Sequence, residues 1–446
     1  MEYDVVIVGT GLAGLTTGLL LTEKGYRVLM IEAKPFVGGR TASWDEEGML
    51  VESGFHRVIG YYKHLPSILK KAGINLNKIV AWEDVMDFRS PRKGEVTTFG
   101  MAPVHGPIKL LKGTFGNNDT ISYKDKWSLF PFYMKGLMDY LKKPDQLDRV
   151  SVEEYAKKCQ VTDNAYHLVL VPLTSGIFFL PPEKFSAYVF FGLMAPSFPR
   201  FYKMRMGAYL GGLSEIMSEP MANVIRNQGG EIITNSKVTQ LINENNEVKG
   251  VITRAGEYRA KQTVLATEIY AAQNLVKRSN IEHECFNNFL NLKTMSAVSL
   301  QIDLDEPSMP YDRTTFGAGT AMASFAEQSR TTFRHVPGRL SVILSPASKF
   351  IDMDQGDILK TVIQDAKKLG LNIEEHIIDY RVIKHPNEFY SLETDQDWMR
   401  PEQDTPIKGL TLAGDYTKTS NFATMESAVE SGELAAKIVC EELEDF

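Results

Sequence analysis

The chain has 446 residues, 43% of them hydrophobic and 24% charged, a composition typical of a folded protein with room for two domains. Its formal net charge of −7 disfavours a nucleic-acid partner, because binding phosphate requires a basic surface. No apolar run reaches the roughly 18–20 residues of a membrane-spanning helix, and the first residues lack a signal-peptide pattern. We therefore expect a cytoplasmic protein, either free or peripheral on a membrane. Three widely spaced cysteines and scattered histidines indicate reduced thiols and no metal site.

The first 32 residues have the pattern of a dinucleotide-binding unit. Residues 3–8 form a short, β-branched run typical of a buried parallel strand, and a glycine-rich turn, residues 9–14, follows at once. A helical pattern comes next and ends at a glycine, and residues 27–32 indicate a second buried strand that ends in an acid. A glycine pattern indicates dinucleotide binding when it occurs within this order of strand, turn, helix and strand.

Each residue type in this turn has a physical role in holding a dinucleotide. Gly9 permits the tight turn, Gly11 lets the backbone approach the pyrophosphate, and Gly14 allows close packing of helix on strand. The phosphates are expected at the helix N-terminus, where free N–H groups and the helix dipole favour negative charge. Glu32 is placed to accept hydrogen bonds from the adenosine ribose, although this motif alone leaves NAD and FAD open. The cofactor-binding residues predicted in this unit are Gly9, Gly11, Leu12, Ala13, Gly14, Glu32 and Ala33.

A second glycine pair distinguishes an FAD site from an NAD site. Gly38 and Gly39 are followed directly by Arg40 and Thr41. A nicotinamide-binding domain has no need of this segment. A second close approach of the backbone, with a guanidinium near phosphate or flavin, fits a longer dinucleotide that lies extended across the domain. The segment therefore favours FAD and adds Gly38, Gly39, Arg40 and Thr41 to the predicted site.

The Gly-Gly-Arg of residues 38–40 is followed by an acid, a small residue, glycine, an apolar residue and histidine at residues 52–56, and by Gly-x-Tyr at residues 60–62. This combination resembles the flavin amine oxidase and carotene desaturase superfamily. Within it, the sequence is most similar to the plant-type phytoene and ζ-carotene desaturases. The resemblance implies that Gly54, Phe55 and His56 belong to the cofactor-binding site, that the Val238 backbone holds the adenine, and that Ala266 precedes a turn beside the cofactor.

The C-terminal segment carries the stronger resemblance. Residues 400–418 are similar to the closing signature of these desaturases almost residue for residue, and residues 424–432 continue it, with Thr424 and Ser427 where the family usually has Ser and Gly. The pattern also has a physical explanation. An apolar strand ends at a Gly-Asp pair, whose carboxylate can accept hydrogen bonds from the ribityl chain, and the next helix points its N-terminal donors at the flavin pyrimidine edge. The residues that this segment adds are Gly414, Asp415, Thr424, Met425 and Ala428.

The predicted fold class is α/β, with a Rossmann-type FAD-binding domain built on a parallel sheet and an interleaved α+β substrate domain that carries a helical lid. Both domains are discontinuous in sequence. We assign the FAD-binding domain to residues 1–75, 205–272 and 395–446, and the substrate domain to residues 76–204 and 273–394. Within the substrate domain, two runs indicate strands that form one wall of a pocket, residues 295–303 and 338–345.

Two apolar regions of the substrate domain leave alternatives open. Aromatic residues and lysines alternate through residues 101–143, which suits a helix pair lying on a lipid surface, and plant-type desaturases have a similar stretch. The alternative interpretation is a packed helical lid with solvated lysines. Residues 177–180 and 188–194 either line a tunnel for a long hydrocarbon or belong to the core.

The function predicted from these features is that of an FAD-dependent oxidoreductase. Its expected substrate is a long apolar molecule of isoprenoid or carotenoid type, oxidised or desaturated by hydride transfer to flavin N5, with quinone or oxygen as electron acceptor. No side chain is identified as a catalytic base, and the flavin itself is expected to supply the chemistry. Three alternatives stay open: a flavin amine oxidase or protoporphyrinogen-oxidase-like enzyme, an FAD-dependent isoprenoid isomerase or dehydroxylase, and a non-catalytic carrier of FAD or lipid.

Overall fold

The computed structural model describes residues 3–92, 95–102, 105–116, 118–197 and 200–444. Residues 1–2, 93–94, 103–104, 117, 198–199 and 445–446, which fall within the predicted domains and the predicted helix pair, lie outside the described residues. The strands of the described chain are β1 Tyr3–Val8, β2 Val28–Ile31, β3 Ser43–Glu46, β4 Met49–Glu52, β5 Arg57–Ile59, β6 Val80–Glu83, β7 Met86–Arg92, β8 Glu95–Met101, β9 Met206–Tyr209, β10 Glu231–Ile233, β11 Val238–Glu244, β12 Glu247–Thr253, β13 Gly256–Leu265, β14 Thr294–Leu304, β15 Thr315–Gly317, β16 Met322–Glu327, β17 Gly338–Leu344, β18 Ile377–Tyr390 and β19 Leu410–Leu412.

The helices come from every part of the chain and separate these strands. Several are short, and α7 continues into a wider helical turn that leads to α8. The helices of the described chain are α1 Leu12–Glu23, α2 His64–Lys71, α3 Pro107–Phe115, α4 Tyr123–Lys142, α5 Pro144–Asp148, α6 Val152–Lys158, α7 Asp163–Ala165, α8 Val171–Phe178, α9 Ala187–Met194, α10 Glu219–Asn227, α11 Ile269–Arg278, α12 Phe286–Asn291, α13 Gln355–Lys368 and α14 Met425–Glu444.

The first large sheet has the strand order β10-β2-β1-β13-β12-β11, with β19 beside β13. Strands β10, β2, β1, β13 and β19 run parallel, whereas β12 and β11 continue the sheet as an antiparallel hairpin. Val8 at the end of β1 lies level with Ile31 of β2 and Leu265 of β13. The carboxyl ends of these parallel strands therefore meet at one edge, where open α/β sheets bind their ligands.

Helix α1 is buried on almost all sides, because helices from distant parts of the chain cover the face that the sheet leaves free. The hydroxyl of Thr17 donates to the carbonyl of Gly432 in α14 at 3.1 Å. A side chain at Gly432 would meet the carbonyl oxygen of Ala13 at 2.5 Å, so the two helices touch through their backbones. This contact holds the last helix of the chain against the first.

The second large sheet has the order β18-β14-β17-β16-β15-β7-β8. Its strands β14 and β17 correspond to the two runs predicted at residues 295–303 and 338–345. Helix α13 packs on one face through Ile358 and Val362, which are fully buried with Leu300 and Leu344. On the opposite face, Ser299 and Gln301 donate hydrogen bonds to the carbonyls of Ser53 and Glu52 at the end of β4.

The two sheets take their strands from the segments that the sequence assigns to the FAD-binding and substrate domains. The domain boundaries themselves stay predictions. Helices α4 to α9 form a further layer around an aromatic core, in which Phe132 contacts the rings of Tyr155, Phe190 and Phe191 at centroid distances of 5.0–5.8 Å. Most of the apolar run at residues 188–194 belongs to this core rather than to a tunnel.

Candidate functional site

A cavity of about 650 Å³ lies where the carboxyl ends of β1, β2, β13 and β19 face the second sheet. This volume is within the range of sites that bind cofactors and small molecules. Both sheets contribute to its wall, as do the loops after the parallel strands and the first turn of α14.

The cavity brings together residues that are scattered over the whole sequence. All but one of the predicted cofactor-binding residues line it. They are Gly9, Gly11, Leu12, Ala13, Glu32, Ala33, Gly38, Gly39, Arg40, Thr41, Gly54, Phe55, His56, Val238, Ala266, Gly414, Asp415, Thr424, Met425 and Ala428. The exception is Gly14, which lies beneath the turn. A side chain at Gly14 would meet the carbonyl oxygen of Gly9 at 2.2 Å, which agrees with the close packing expected of this glycine.

The glycine turn after β1 leaves open space at the N-terminus of α1. Gly9 has φ +99°, in the left-handed region that favours glycine. Gly11 lines the cavity, and a side chain added there would meet no atom within 4 Å. The space beside Gly11 is thus open to a ligand, at the N-terminus of α1.

Glu32 has a second role that its position in the motif did not reveal. One carboxylate oxygen accepts hydrogen bonds from the backbone N–H and the hydroxyl of Thr10 at 3.0 and 2.8 Å. The other oxygen accepts from the N–H of Lys34 at 2.9 Å. The side chain is 8% exposed, so it ties the two loops together while it lines the cavity.

Arg40 and Asp415 join the two ends of the chain across the cavity. Nη2 of Arg40 donates to Oδ1 of Asp415 at 2.7 Å. Burial opposes the charge on the guanidinium, but the carboxylate of Asp415 outweighs burial and holds the pKa of Arg40 above its ordinary value. The guanidinium of Arg40 therefore stays charged in the wall of the cavity.

The first turn of α14 is positioned by hydrogen bonds on both sides. Oγ1 of Thr424 accepts from the N–H of Ser427 at 3.1 Å, so threonine here caps the helix as the family's serine could. Glu426 is 2% exposed and accepts from the N–H groups of Lys63, His64 and Leu65 at the start of α2. These bonds fix the helix end that the sequence predicts to face the flavin.

The other end of the cavity is apolar and was only partly foreseen. Ile177, Phe178 and Phe179 line it, and Phe178 is at the same time part of the buried core, so the run at residues 177–180 contributes to both the cavity wall and the core. Phe179 has φ +64°, unusual for a bulky side chain, and follows directly after α8. Its ring lies 5.4 Å from that of Phe389, centroid to centroid. Met295, Ala297 and Leu193 complete this surface.

Three polar side chains of the cavity were missed because no local motif marks them. Glu268 caps α11 and accepts from the N–H groups of Tyr270 and Ala271 at 2.6 and 2.8 Å. Burial nevertheless raises the pKa of Glu268 to about 7. His385 and Glu388 lie on β18, with Nδ1 of the imidazole 2.9 Å from Oε2 of the carboxylate.

A family model described as flavin containing amine oxidoreductase matches residues 12–440. The chain belongs to the flavin-containing amine oxidoreductase family. The predictions of this superfamily, of an FAD-dependent oxidoreductase and of FAD as cofactor are thereby confirmed. The cavity fits that cofactor, since it has an open cradle at Gly11 and an ion pair between Arg40 and Asp415 in its wall.

Among curated relatives, the 15-cis-phytoene desaturase of Oncidium hybrid cultivar is 28% identical to this chain, over 98% of this chain and 78% of that protein. The 15-cis-phytoene desaturase of Synechococcus elongatus is 24% identical, over 98% of this chain and 95% of that protein. The zeta-carotene desaturase of Synechocystis sp. is 25% identical, over 98% of this chain and 96% of that protein. These relatives confirm the resemblance to phytoene and ζ-carotene desaturases.

Solved structures share the fold along the whole chain. An oxidoreductase from Methanosarcina mazei has a TM-score of 0.76 at 19% identity and covers 98% of this chain and 100% of its own. A putrescine oxidase bound to putrescine has a TM-score of 0.75 at 18% identity, over 99% of both chains. The predicted α/β fold class is confirmed.

Proposed function

We propose that this flavoprotein introduces carbon–carbon double bonds into a long apolar substrate of isoprenoid or carotenoid type. One observation carries the proposal: a single cavity joins a glycine-lined end that suits FAD to an end walled by Phe179, Phe389, Met295 and Leu193. Such a surface binds a hydrocarbon through buried apolar area. Relatives named for desaturation of phytoene and ζ-carotene match nearly the whole chain, which supports the same substrate class.

The placement of FAD follows from the residues that line the cavity. Gly9 to Ala13 at the start of α1 would hold the pyrophosphate, with Glu32 and Val238 at the adenosine end. Gly38 to Thr41 and Asp415 would hold the phosphates and the ribityl chain. The first turn of α14, from Thr424 to Ala428, would direct its N–H groups at the pyrimidine edge of the flavin.

Among the described residues that line the cavity, no lysine lies beside its apolar end where it could assist amine oxidation. Among the described residues, the lysines that line it are Lys34 and Lys237, both from loops at the glycine-lined end. The ammonium of Lys34 lies 5.8 Å from the ring centroids of Phe36 and of Trp44. Lys293, directly before β14, has a side chain that is 65% exposed and that pairs with Glu393 at 3.6 Å. Carbon–carbon oxidation is therefore favoured over amine oxidation.

The protein's part in this reaction is to bind, orient and shield. Bound FAD supplies an acceptor for the hydride that leaves one carbon, and a quinone or oxygen takes the electrons afterwards. The apolar wall excludes water and aligns the extended chain of the substrate, which lowers the entropic part of the barrier. The ion pair between Arg40 and Asp415 ties together two of the loops that line the cavity.

The direct test is to mix the purified holoprotein anaerobically with 15-cis-phytoene in phospholipid vesicles. We expect bleaching of the flavin absorbance and, with a quinone present, a product two hydrogens poorer by mass spectrometry. A product of unchanged mass would support the isomerase alternative, and peroxide formation with putrescine or cyclohexylamine would support an amine oxidase. If dithionite cannot reduce the bound flavin and no electron acceptor can reoxidise it, the protein is a non-catalytic carrier.

We further propose that α3 and α4 lie on a membrane surface, from which such a substrate would be drawn. Within the described residues, no helix is long and apolar enough to cross a bilayer. The two helices instead expose apolar side chains at helical spacing. We call this set the helix-pair face: Ile108, Leu111, Phe115, Trp127, Phe130, Met134, Met138 and Leu141, which are 46–78% exposed.

Charge around the helix-pair face points to an anionic lipid surface as its occupant. Lys112, Lys124, Lys135, Lys142 and Lys143 are exposed beside it. Lysines on the polar flank of an amphipathic helix add attraction to anionic lipids, while exposed aromatic residues enter the headgroup region. Phe115 of α3 lies 6.5 Å from Tyr123 of α4, centroid to centroid, so the two helices form one continuous face.

A further inference from the structure

Phe179 has a backbone conformation that bulky residues rarely adopt, with φ +64°. Among the described residues, eight other non-glycine residues have positive φ, and seven of these carry polar side chains. The polar ones are Glu47, Gln160, Asn235, Asn245, Asn246, Asn280 and Asp395. The two apolar ones, Phe179 and Ala423, both line the cavity. Unfavourable backbone conformations that gather at one cavity indicate a functional role there.

The helix end at Phe179 does not itself require an aromatic side chain. The N–H of Phe179 donates to the carbonyl of Ser175 at 3.1 Å, and the hydroxyl of Ser345 donates to the carbonyl of Phe179 at 3.2 Å. Both bonds use backbone atoms of Phe179, so any residue could make them. Glycine is the usual residue at such a left-handed helix end, because it has no side chain that could clash. The presence of phenylalanine must therefore be explained by its ring.

The ring of Phe179 is not part of the buried core. Its neighbour Phe178 is 4% exposed and packs with Phe185 at a centroid distance of 5.3 Å. Phe179 is half-buried, and within the described residues it belongs to none of the buried apolar clusters. Its ring contacts that of Phe389 edge-on, at 5.4 Å and an interplanar angle of 64°. Both residues line the cavity, so the ring pair forms part of its wall.

Phe389 connects Phe179 with the end of the cavity that is predicted to hold the flavin. The guanidinium carbon of Arg40 lies 4.7 Å from the centroid of the Phe389 ring, which is a cation–π contact. Arg40 in turn donates a hydrogen bond to Asp415. A chain of contacts therefore fixes the ring of Phe179 relative to two of the predicted cofactor-binding residues.

A long hydrocarbon offers a binding site few features by which its position can be fixed. It has no polar group that could donate or accept a hydrogen bond, so the shape of the cavity wall must determine where each of its carbon atoms lies. Met295 lines the apolar end as well, but its unbranched side chain adapts to the shape of a ligand. The ring of Phe179, which other side chains hold in place, is better suited to this task.

We propose that Phe179 is a specificity-determining residue, which limits how far a long apolar substrate extends toward the flavin end of the cavity. This inference rests on the proposed function. The ring thereby selects the carbon–carbon bond of the substrate that is oxidised. Loss of the ring lets the substrate take several positions, whereas loss of a merely structural side chain would lower stability without changing the product.

The test compares Phe179→Gly and Phe179→Leu with the wild type and with a matched control, Gln160→Gly. Gln160 has φ +57° near the end of α6, but it is not among the described residues that line the cavity. The first measurement is thermal unfolding without FAD. We expect Phe179→Gly and Gln160→Gly to unfold within about 2 °C of the wild type, because relief of the left-handed conformation offsets the greater freedom of the unfolded chain. A midpoint that falls by more than about 5 °C in Phe179→Gly alone would identify a structural residue and overturn the proposal.

The second measurement is anaerobic reduction of the bound flavin by 15-cis-phytoene in vesicles, followed by the mass and ultraviolet spectrum of the product. The spectrum shows whether the new double bond extends the conjugated system of phytoene. We expect Phe179→Gly to need at least about tenfold more phytoene for half-maximal reduction and to give a mixture of positional products. Phe179→Leu, which keeps an apolar side chain, should retain most of the affinity, and Gln160→Gly should behave as the wild type does.

The outcomes separate this inference from the function on which it rests. If Phe179→Gly and the wild type show the same affinity and the same single product, Phe179 does not determine the position of the substrate, and only the inference fails. If phytoene neither binds to the wild-type holoprotein nor reduces its flavin, the proposed function fails, and the inference fails with it.

Discussion

Arg40 and Asp415 form an ion pair with a distance of 2.7 Å although 375 positions separate them in the sequence. The pair closes the cavity wall between the loop after β2 and the turn after β19. Because the two side chains are only 24% and 7% exposed, the loss of one partner leaves a charge with poor solvation.

Replacement of Arg40 by Ala should therefore lower both stability and FAD retention. We expect a loss of about 2–4 kcal/mol in the free energy of unfolding, because Asp415 is left without its partner. Chemical denaturation and the flavin-to-protein absorbance ratio after gel filtration measure the two effects. Arg27→Ala, which removes a surface pair with Asp4, is the control and should cost at most about 1 kcal/mol. Equal losses in the two variants would contradict this reading of the Arg40 pair.

Two glycines of the first turn should respond to the same substitution in different ways. Gly11→Val fills space that no protein atom occupies, so the variant should fold with a stability within about 1 kcal/mol of the FAD-free wild type and fail to bind FAD. Gly14→Val forces a side chain onto the carbonyl oxygen of Gly9, 2.2 Å from the new Cβ, and should lose more than about 3 kcal/mol.

Thermal unfolding without FAD and titration with FAD separate these outcomes. A Gly11→Val preparation that stays yellow through purification would remove the pyrophosphate from this position. A Gly14→Val variant as stable as the wild type would show that helix and strand do not pack as closely as the structure has them.

Glu268 should make the stability of the FAD-free protein depend on pH. Burial raises the pKa of its carboxyl from 4.5 to about 7. The folded state then binds the proton more tightly than the unfolded state, so this group's contribution to stability is complete below about pH 4.5 and is lost as the pH rises to about 7. In Glu268→Gln, the change in the free energy of unfolding between about pH 4.5 and about pH 7 should be smaller by up to roughly 3 kcal/mol.

Urea unfolding at about pH 5 and about pH 8 measures the slope that Glu268 contributes. The control is Glu23→Gln, which changes an exposed carboxylate paired with Lys71 at the surface. We expect the control to keep the wild-type slope. If the stability of Glu268→Gln depends on pH as strongly as that of the wild type, the carboxyl of Glu268 is not the source of this pH dependence.

The helix-pair face should bind vesicles that contain anionic lipid. Trp127 and Phe130 are 65% and 57% exposed, so their joint replacement by Glu should weaken flotation with phosphatidylglycerol vesicles at least tenfold and leave stability nearly unchanged. Ile378→Glu changes an equally exposed apolar residue on β18 and should float as the wild type does. If both variants float equally well, the face is not the site of lipid contact.

Local motifs predicted much of the fold and of the candidate site. The strand, turn and helix of the first 23 residues depend on short-range preferences and on a glycine with φ +99°, which a sequence pattern can reveal. The closing signature predicted the turn at Gly414 and the start of α14 in the same way. For the second sheet, the sequence predicted only two of the strands. The other strands lack a comparably clear hydrophobic pattern.

The sequence by itself determined the positions of the glycine turns and helix starts that form the predicted dinucleotide site, because such features depend on neighbouring residues. Only the tertiary structure decided that His385 meets Glu388, that Glu268 is half-buried in the cavity wall, and that α1 is covered by α14 at Gly432. Each of these relationships depends on strand register, on a bulge or on the packing of distant helices. Such features arise from the free energy of the whole fold, and no local preference specifies them.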